Sequence, residues 1–361
     1  MVKKVYDSII DEKSKKIYIN RLLNYITGDA RYFLEIIKLS EDDKETEMPK
    51  ISECYDEFIK KGTQYVVWGA ASSGEVRYRF NKMLGYDCIK YFVDSNEELQ
   101  KTGKFDKQVL SPKEFLEKWD GEAVLIESLY YEQEIAEEIN RFFNGNCKII
   151  NHLNCNQQYF DEIICFSDDE VFLDCGCFDC GTTNDFINKV NGKYNRIIAF
   201  EPDKINYKNC IRIVENNKWE NVEIINKGLW DKETTICFIT RNDASSRVVE
   251  GSSLDEIEEE LLDNNVAAVE KIDVVDIDSI IGDEKVTFIK MDIEGSELNA
   301  LKGAEKAIKR NKPKLAICIY HKPEDIVEIP MYLKAIVPEY KFKIRHYTDN
   351  TYETVLYAIA D

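Results

Sequence analysis

The stretch FLDCGCFDCGTT, residues 172–183, decides the fold of this chain. Its apolar beginning predicts a buried β-strand that ends near Asp174, and Gly176 predicts a tight turn behind that strand. A glycine turn lets the backbone approach a ligand closely, and the unpaired N–H groups of a following helix can bind an anion. The stretch is therefore typical of the first strand and turn of a nucleotide-binding α/β sheet.

The same stretch holds three cysteines, which raises the alternative of a metal site built on Cys175, Cys177 and Cys180. A structural zinc site normally takes four ligands, and this spacing supplies three with no obvious fourth nearby. We therefore favour the interpretation in which Cys175 and Cys177 flank a cofactor turn as small side chains. A zinc site completed by one distant cysteine stays open as an alternative.

Outward from the turn, strands alternate with helices, as a parallel sheet requires. The next strand lies in IIAFEPD and ends at Glu201, where a carboxylate can accept hydrogen bonds from a ribose diol. NKGLWD follows the third strand, and the fourth strand ends in IKMDIEGSE. The final strands, KFKIRHY and ETVLYAIA, follow each other without a helix, so they must pair antiparallel as a hairpin. Such an ending is unlike that of a nicotinamide-binding sheet.

The pattern divides the chain into three parts. Residues 1–60 place apolar positions at helical spacing and predict a helical arm. Residues 61–150 predict a small Rossmann-like α/β domain, and residues 151–361 predict a larger α/β domain that ends in the hairpin. In that larger domain we expect one helix over 296–310, and the charged insertion 241–270 is the expected specificity loop.

A second glycine turn lies in VVWGAASSG, at Gly69 and Gly74, and Asp94 closes the next strand, IKYFVDS. The interval from Gly74 to Asp94 is close to the roughly 20 residues that separate a dinucleotide turn from its ribose-binding acid, which taken literally indicates NAD. The unit is nevertheless too short for two mononucleotide-binding halves plus a catalytic domain, and it resembles small domains found beside sugar-modifying enzymes. Three interpretations stay open: a scaffold or dimerisation module, a site for a nucleotide-linked sugar or glycan, and an NAD site.

From about residue 160 onward, the chain resembles the FkbM-type family of S-adenosylmethionine-dependent methyltransferases. The resemblance rests on VFLDCGCFDCGTT and IIAFEPD and, more specifically, on NKGLWD, VTFIKMDIEGSELNALKGA, YHKPEDI and RHYTDNTYETVLYA. It implies a seven-strand methyltransferase sheet, S-adenosyl-L-methionine as the cofactor, and methyl transfer to a hydroxyl of a sugar, a glycan or a related small acceptor. The residues that the resemblance assigns to cofactor binding are Asp174, Gly176, Phe178, Gly181, Thr182, Glu201, Pro202, Gly228 and Asp292.

Attack by a hydroxyl needs a base at the carboxyl end of the fourth or fifth strand, and a placed base typically adds about 10²–10⁴-fold to the rate. His321 follows the fifth strand and is expected to accept a proton near neutral pH without a large pKa shift. We favour His321 as the base and Asp292 as an orienting or cofactor-side carboxylate. Glu294 and Glu297 are secondary candidates at the substrate, with helix capping as the alternative. The carboxylates could instead hold Mg²⁺, an interpretation that we do not favour.

Bulk composition limits the partners of the chain. The 361 residues carry a formal net charge of −20, which repels a phosphate backbone, so we expect no nucleic-acid partner. The opening residues lack the apolar block of a signal peptide, and no run of about 18 apolar residues occurs, so we expect a cytoplasmic protein without a membrane span. The 11 cysteines are then mostly reduced thiols. The helical arm can serve as a packing or dimerisation element, so a homodimer stays open.

Three classes of function stay open from the sequence. The first is methyl transfer to a small acceptor, and the second is NAD-dependent oxidoreduction through the first α/β domain. The third is a non-catalytic assembly protein that binds a nucleotide sugar. Affinity for S-adenosylhomocysteine without affinity for NADH would favour the first class.

Overall fold

The chain folds into two compact units. The computed structural model describes residues 2–41, 50–128, 131–150, 152, 158–241, 246–249 and 266–360. The first unit contains Met1–Leu22, Cys155–His346 and Tyr352–Asp361, and the second contains Leu23–Asn154 and Tyr347–Thr351. The units therefore interleave along the chain, and the domain division into 1–60, 61–150 and 151–361 stays a prediction.

Helices precede the first strand, as the apolar spacing predicts. They are α1 (Val2–Ser8), α2 (Glu12–Thr27), α3 (Arg31–Glu41) and α4 (Ile51–Lys61). In α3, Phe33, Ile36 and Ile37 are three and four residues apart and are all buried, so they form one apolar face. None of the described helices combines the length and the apolar character needed to cross a bilayer.

The second unit contains a five-stranded parallel sheet. Its strands are β1 (Tyr65–Trp68), β2 (Ile89–Val93), β3 (Val109–Leu110), β4 (Val124–Ile126) and β5 (Ile149–Ile150), in the order β3-β2-β1-β4-β5. Its helices are α5 (Ser72–Leu84), α6 (Glu97–Thr102), α7 (Pro112–Lys118) and α8 (Glu132–Phe143). This arrangement confirms the predicted smaller α/β fold.

The first unit carries the predicted seven-stranded sheet. The described strands of this unit are β6 (Val171–Cys175), β7 (Arg196–Phe200), β8 (Val222–Ile225), β9 (Gly228–Leu229), β10 (Thr234–Arg241), β11 (Ser246–Val249), β12 (Val266–Val275), β13 (Phe288–Met291), β14 (Lys314–Cys318), β15 (Lys341–His346) and β16 (Thr354–Ile359). Seven of them form a sheet in the order β15-β16-β14-β13-β6-β7-β8, in which β16 is antiparallel to both neighbours. The hairpin ending is therefore confirmed. The other four form a sheet in the order β11-β10-β12-β9.

Helices link these strands: α9 (Gly181–Lys189), α10 (Lys204–Asn217), α11 (Ile277–Ile281), α12 (Glu297–Lys302), α13 (Glu305–Asn311) and α14 (Asp325–Ile336). The prediction of one helix over 296–310 is wrong, because the chain forms α12 and α13 with Gly303 between them. A Cβ atom on Gly303 would lie 2.1 Å from the carbonyl oxygen of Trp230, so this close approach requires glycine. Most of the expected specificity loop 241–270 lies outside the described residues.

The order of the sheet determines where a ligand can bind. From β6 the chain moves to β7 and β8 on one side, whereas β13 and β14 lie on the other side. The sheet therefore has its switch point between β6 and β13, and ligands of open α/β sheets bind at the carboxyl ends of the strands at such a point. The residues that follow β6, β7, β13 and β14 meet at this edge.

A buried ionic cluster lies within the second unit. Arg77 is 1% exposed and contacts Glu127 Oε1 through Nε at 2.7 Å and Asp349 Oδ1 through Nη2 at 2.5 Å. Nη1 of Arg77 donates to the Tyr55 hydroxyl at 3.0 Å. Nδ1 of His152 lies 2.8 Å from Asp349 Oδ2. Burial raises the pKa of Asp349, but Arg77 and His152 outweigh this effect and hold the pKa well below its usual value.

Replacing Asp349 with asparagine should destabilise the second unit, because it leaves Arg77 buried with one counter-charge fewer. Removing one partner of a buried pair typically costs about 3–5 kcal/mol, and we expect the free energy of unfolding to fall by about that amount. Guanidinium unfolding followed by circular dichroism measures the change. The matched control is Asp283→Asn, since the exposed Asp283 pairs with Arg310 at 3.4 Å and should matter little. Equally small effects of both substitutions would contradict this account.

Candidate active site

The turn after β6 requires glycine at position 176. Gly176 has a φ of +87°, and a Cβ atom there would lie 2.0 Å from the carbonyl oxygen of Asp292. The N–H groups of Gly176 and Cys177 both donate to the carbonyl oxygen of Phe200, at 3.2 and 3.0 Å. The turn is thus packed against the ends of two neighbouring strands, β7 and β13. Glycine at position 176 is therefore required for packing against Asp292, and its close approach to a ligand stays a prediction.

Glu201 lies at the carboxyl end of β7, beside the same turn. Its Oε2 atom accepts from the N–H of Phe178 at 2.9 Å, and its Oε1 atom accepts from the N–H of Asp203 at 2.9 Å. Burial raises the pKa of Glu201 to about 7, although the two N–H groups lower it. Each carboxylate oxygen has a further lone pair, so Glu201 can still accept hydrogen bonds from a diol.

Asp174 is fully buried at the end of β6 and has partners of its own. Its Oδ1 atom lies 3.2 Å from Nζ of Lys290, and its Oδ2 atom accepts from the Thr183 hydroxyl at 2.7 Å. Nζ of Lys290 also donates to the carbonyl oxygen of Gly176 at 2.7 Å. Asp174 and Lys290 therefore hold the turn in place, and a direct contact of Asp174 with cofactor stays a prediction.

Lys290 lies in the candidate site, and the sequence analysis missed it. It is 2% exposed in the middle of β13, between apolar neighbours. Burial alone lowers the pKa of Lys290, but Asp174 and Asp292 outweigh this effect and raise the pKa above its usual value. A lysine inside the run FIKM was the available signal, because a lysine is almost never fully buried without a partner.

The other predicted cofactor residues lie along the same edge. Thr182 is in the first turn of α9, and the N–H of Gly181 donates to Oδ1 of Asp179 at 2.9 Å. The carbonyl oxygen of Pro202 accepts from Nδ2 of Asn226 at 3.0 Å. A Cβ atom on Gly228 would lie 3.8 Å from Cβ of Pro202. Phe178, with 64% exposure, presents its ring to solvent.

His321 faces three carboxylates. Its Nδ1 atom lies 2.9 Å from Glu297 Oε1, and its Nε2 atom lies 3.4 Å from Asp292 Oδ1 and 3.7 Å from Glu294 Oε2. Burial by itself lowers the pKa of His321, but the three carboxylates raise it to about 9. The expectation of an unshifted pKa is therefore wrong. At neutral pH the ring is an imidazolium.

The secondary candidates Glu294 and Glu297 differ in their surroundings. Glu297 is fully buried, and its Oε1 atom accepts from the N–H of Ile293 at 2.9 Å. Glu294 has a side chain that is 57% exposed and a φ of +56°. Burial raises the pKa of Glu294. Glu297 is thus held at Nδ1 of His321, whereas Glu294 reaches the solvent.

Asp292 links His321 to a set of tyrosines. Its Oδ2 atom accepts from the Tyr159 hydroxyl at 2.7 Å, and its Oδ1 atom lies 3.3 Å from the Tyr320 hydroxyl. That hydroxyl is also 3.1 Å from Glu353 Oε1. Burial raises the pKa of Asp292, but the cations Lys290 and His321 outweigh this effect and lower it. Burial also raises the pKa of Glu353, to about 7.

Tyr159, Tyr320 and Glu353 were missed by the sequence analysis. Tyr320 directly precedes His321, and Glu353 lies in the segment TYETV, so both stand inside segments that carried the family resemblance. Tyr159 lies before β6 in the chain and has no local pattern that marks it. Tyr159 and Asp292 are far apart in the chain, and only the folded structure brings them into contact.

Within the described part of the chain, three groups of side chains bring potential metal ligands within 4.8 Å of one another: Cys177, Cys180 and Cys210; Asp292, Glu297 and His321; and Asp292, Cys318 and Glu353. The second group includes an imidazole, which suits transition metals, whereas Mg²⁺ takes oxygen ligands. The first group differs from the predicted cysteine set, because it contains Cys210 from α10 and not Cys175.

The second unit brings together Gly69, Gly74 and Asp94. The N–H of Ala70 donates to Asp94 Oδ2 at 2.8 Å, and the N–H of Asn96 donates to Asp94 Oδ1 at 2.8 Å. A Cβ atom on Gly74 would lie 2.1 Å from the carbonyl oxygen of Gly69. The carboxylate of Asp94 thus binds backbone N–H groups of the protein, and the two glycines pack against each other. A ligand at this position stays a prediction.

Comparisons with known proteins identify a matching family and a similar fold. Residues 174–344 match the family described as the methyltransferase FkbM domain. The methyltransferase FkbM from Methylobacillus flagellatus KT has a similar fold, with a TM-score of 0.52 and 21% identity over 91% of this chain and 98% of that chain. No curated protein matches the chain.

Two further solved structures cover 54% of this chain. The O-methyltransferase from Bacillus cereus, in complex with SAH, is matched over 75% of its length with a TM-score of 0.32 and 13% identity. An rRNA methylase from Streptococcus thermophilus is matched over 88% of its length with a TM-score of 0.34 and 14% identity.

The three carboxylates around His321 should be visible in its titration. We expect an imidazole pKa of about 9 by NMR, well above the ordinary value of about 6.5. Glu297→Gln should lower that pKa markedly, because it removes the nearest charge. Glu294→Gln is the matched control and should lower it less, since Glu294 is more distant and more exposed. A wild-type titration near pH 6.5 would contradict the assigned cause.

Proposed function

Residues 174–344 are a methyltransferase domain of the FkbM family, and we propose that this domain methylates a hydroxyl of a sugar, a glycan or a related small acceptor. The cofactor that we propose is S-adenosyl-L-methionine. One observation carries the proposal: the Gly176 turn, Glu201 and the pair of Asp292 and His321 all lie at the carboxyl edge of one sheet, around its switch point.

The cofactor side of the site is formed by β6, β7 and the turn between β6 and α9. Glu201 would accept hydrogen bonds from the ribose diol, and the turn at Gly176 would bring the backbone close to the ligand. The cofactor supplies an electrophilic methyl group on a positively charged sulfur. The carboxylates of Asp292 and Glu294 suit a cationic neighbour, because opposite charges attract.

On the acceptor side, His321 would take the proton of the attacking hydroxyl at Nε2, and Glu297 would orient the imidazole through Nδ1. Asp292, 3.4 Å from Nε2, would be the carboxylate on the cofactor side. A pKa of about 9 leaves about 1% of the ring neutral at pH 7, so this base is scarce in the free protein. A cation bound beside the ring would lower the pKa of His321 and increase the neutral fraction. Binding of the positively charged cofactor would thereby increase the fraction of His321 that can act as a base.

The charges around His321 favour an uncharged acceptor. Two cations, Lys290 and His321, stand beside five acids, which are Asp174, Asp292, Glu294, Glu297 and Glu353. This excess of acids repels phosphates and carboxylates but can accept hydrogen bonds from hydroxyl groups. The ring of Tyr352, with 45% exposure, lies edge-on to Tyr320 and offers an aromatic surface to a sugar ring.

Other expectations stay predictions. They are a nucleotide sugar at the Gly69 turn, a homodimer, the absence of a nucleic-acid partner and a cytoplasmic location. The comparisons support neither of the alternatives, an NAD-dependent oxidoreductase that uses the first α/β domain and a non-catalytic assembly protein that binds a nucleotide sugar, because the matched family and the matched structure are methyltransferases. The position of Asp94 fits a structural role as well as it fits a ribose contact.

Glu201→Gln should weaken the binding of S-adenosylhomocysteine, because an amide has one acceptor oxygen where the carboxylate has two. Hydrogen bonds to charged groups contribute about 1.5–3 kcal/mol each, so we expect a loss of about 10–100-fold in affinity by calorimetry. The matched control is Glu223→Gln, at an exposed glutamate of β8 that pairs with Arg196. Unchanged affinity in Glu201→Gln would show that the adenosine site has been misplaced, as would binding of NADH in place of the nucleoside.

His321→Ala should lower turnover by about tenfold or more while leaving the affinity for S-adenosylhomocysteine nearly intact. The assay is transfer of labelled methyl from S-adenosylmethionine to a panel of mono- and oligosaccharides. In the wild type, kcat/KM should rise with pH up to about 9, because the base form of His321 appears over that range. Added imidazole should partly restore the variant. Near-normal turnover without His321 would remove it from the mechanism.

A further inference from the structure

Three thiols meet beneath the cofactor turn. Cys177 and Cys180 belong to the turn between β6 and α9, and Cys210 lies on α10. The sulfur atoms all lie within 4.8 Å of one another, and those of Cys177 and Cys210 are 3.9 Å apart. Each of the three residues is at most 2% exposed. The fold therefore adds to the CxxC pair the distant cysteine that the sequence could not identify.

The spacing of these sulfur atoms suits a metal ion better than a disulfide. A zinc–sulfur bond is about 2.3 Å long, so two sulfur atoms of a zinc tetrahedron are about 3.8 Å apart. The observed 3.9 Å between Cys177 and Cys210 is close to that edge length. A disulfide would need the same atoms about 2.05 Å apart, and the two residues would have to move together.

The surroundings also suit thiolates. Helix α9 begins at Gly181, directly after Cys180, and the partial positive charge of a helix N-terminus stabilises a thiolate. Sγ of Cys210 lies 3.2 Å from the carbonyl oxygen of Phe178, which places a fourth donor atom at the cluster. Apolar neighbours, among them Ala199 and Ile224, separate the thiols from solvent. Three buried thiols therefore lie together, with one carbonyl oxygen beside Cys210.

We propose that Cys177, Cys180 and Cys210 bind one Zn²⁺ ion, with the carbonyl oxygen of Phe178 as a further donor. Binding displaces the thiol protons, including the one that Cys210 donates to this carbonyl. The proposal is independent of the methyl-transfer reaction, since it concerns a structural ion behind the turn.

A zinc ion here would connect α10 to the cofactor turn. Phe178 lies between two of the ligands, and its N–H donates to Glu201. The bound ion would therefore fix the backbone that holds the proposed ribose-binding acid. The same protein can be tested for S-adenosylhomocysteine binding with and without metal, so failure of one proposal is visible apart from the other.

The test is a titration of the reduced, metal-stripped full chain with Co²⁺ in the absence of oxygen. We expect one Co²⁺ per chain with sulfur-to-cobalt charge-transfer absorption, which Zn²⁺ then displaces. Cys210→Ala should lose this absorption. Cys88→Ala, at a buried thiol of the second unit, is the matched control and should retain it. Absence of the absorption in the wild type, or its persistence in Cys210→Ala, overturns the proposal.

A second measurement needs no variant and covers the case in which Cys210→Ala fails to fold. X-ray absorption of the zinc-loaded wild type should give three sulfur neighbours at about 2.3 Å. A first shell made of nitrogen and oxygen alone would place the ion elsewhere and reject the cysteine site.

Discussion

The pair formed by Lys290 and Asp174 connects the two halves of the candidate site. Lys290 is buried in β13, contacts Asp174 at the end of β6, and donates to the carbonyl oxygen of Gly176. Its ammonium group also lies 5.1 Å from the centre of the Tyr159 ring. Tyr159 donates in turn to Asp292. One buried cation thus holds the cofactor turn on one side and the proposed catalytic carboxylate on the other.

A buried charge of this kind is costly without partners, and that cost explains the arrangement around it. Breaking a buried pair by removing one partner typically costs about 3–5 kcal/mol. Lys290 has an ion pair, a hydrogen bond and an aromatic ring close to its ammonium group. The lysine therefore favours one conformation of the β6 turn, the conformation in which Gly176 packs against the backbone of Asp292.

The carboxylates along the sheet edge differ in their pKa values. Lys290 and His321 lower the pKa of Asp292, whereas burial raises the pKa of Glu201 and Glu353 to about 7. The acids that surround His321 raise its pKa. Separation of pKa values among neighbouring groups is what acid–base chemistry needs, because each group can then hold a different protonation state at one pH.

The sequence predicted the features of the candidate site that the backbone determines. It did not predict the side-chain contacts between residues that are far apart in the chain. The sheet, its hairpin ending and the positions of Gly176 and Glu201 follow from local patterns of apolar residues and glycine. The partners of Lys290 and the contact of Tyr159 with Asp292 join residues far apart in the chain, so no local pattern marks them. The pKa of His321 was wrongly expected to be ordinary, because it depends on three carboxylates that the fold brings to the ring, Glu297 foremost. Likewise, Cys210 lies beside Cys177 only because α10 packs against the turn, and no local sequence pattern indicates this contact.

The most direct test is a crystal structure of the full chain with S-adenosylhomocysteine. The account predicts the ribose hydroxyls on Glu201, the nucleoside against the Gly176 turn, and the sulfur directed toward Asp292 and His321. Lys290 should keep its contacts with Asp174 and Gly176. A nucleoside bound away from this edge, or a sulfur directed away from Asp292 and His321, would contradict it.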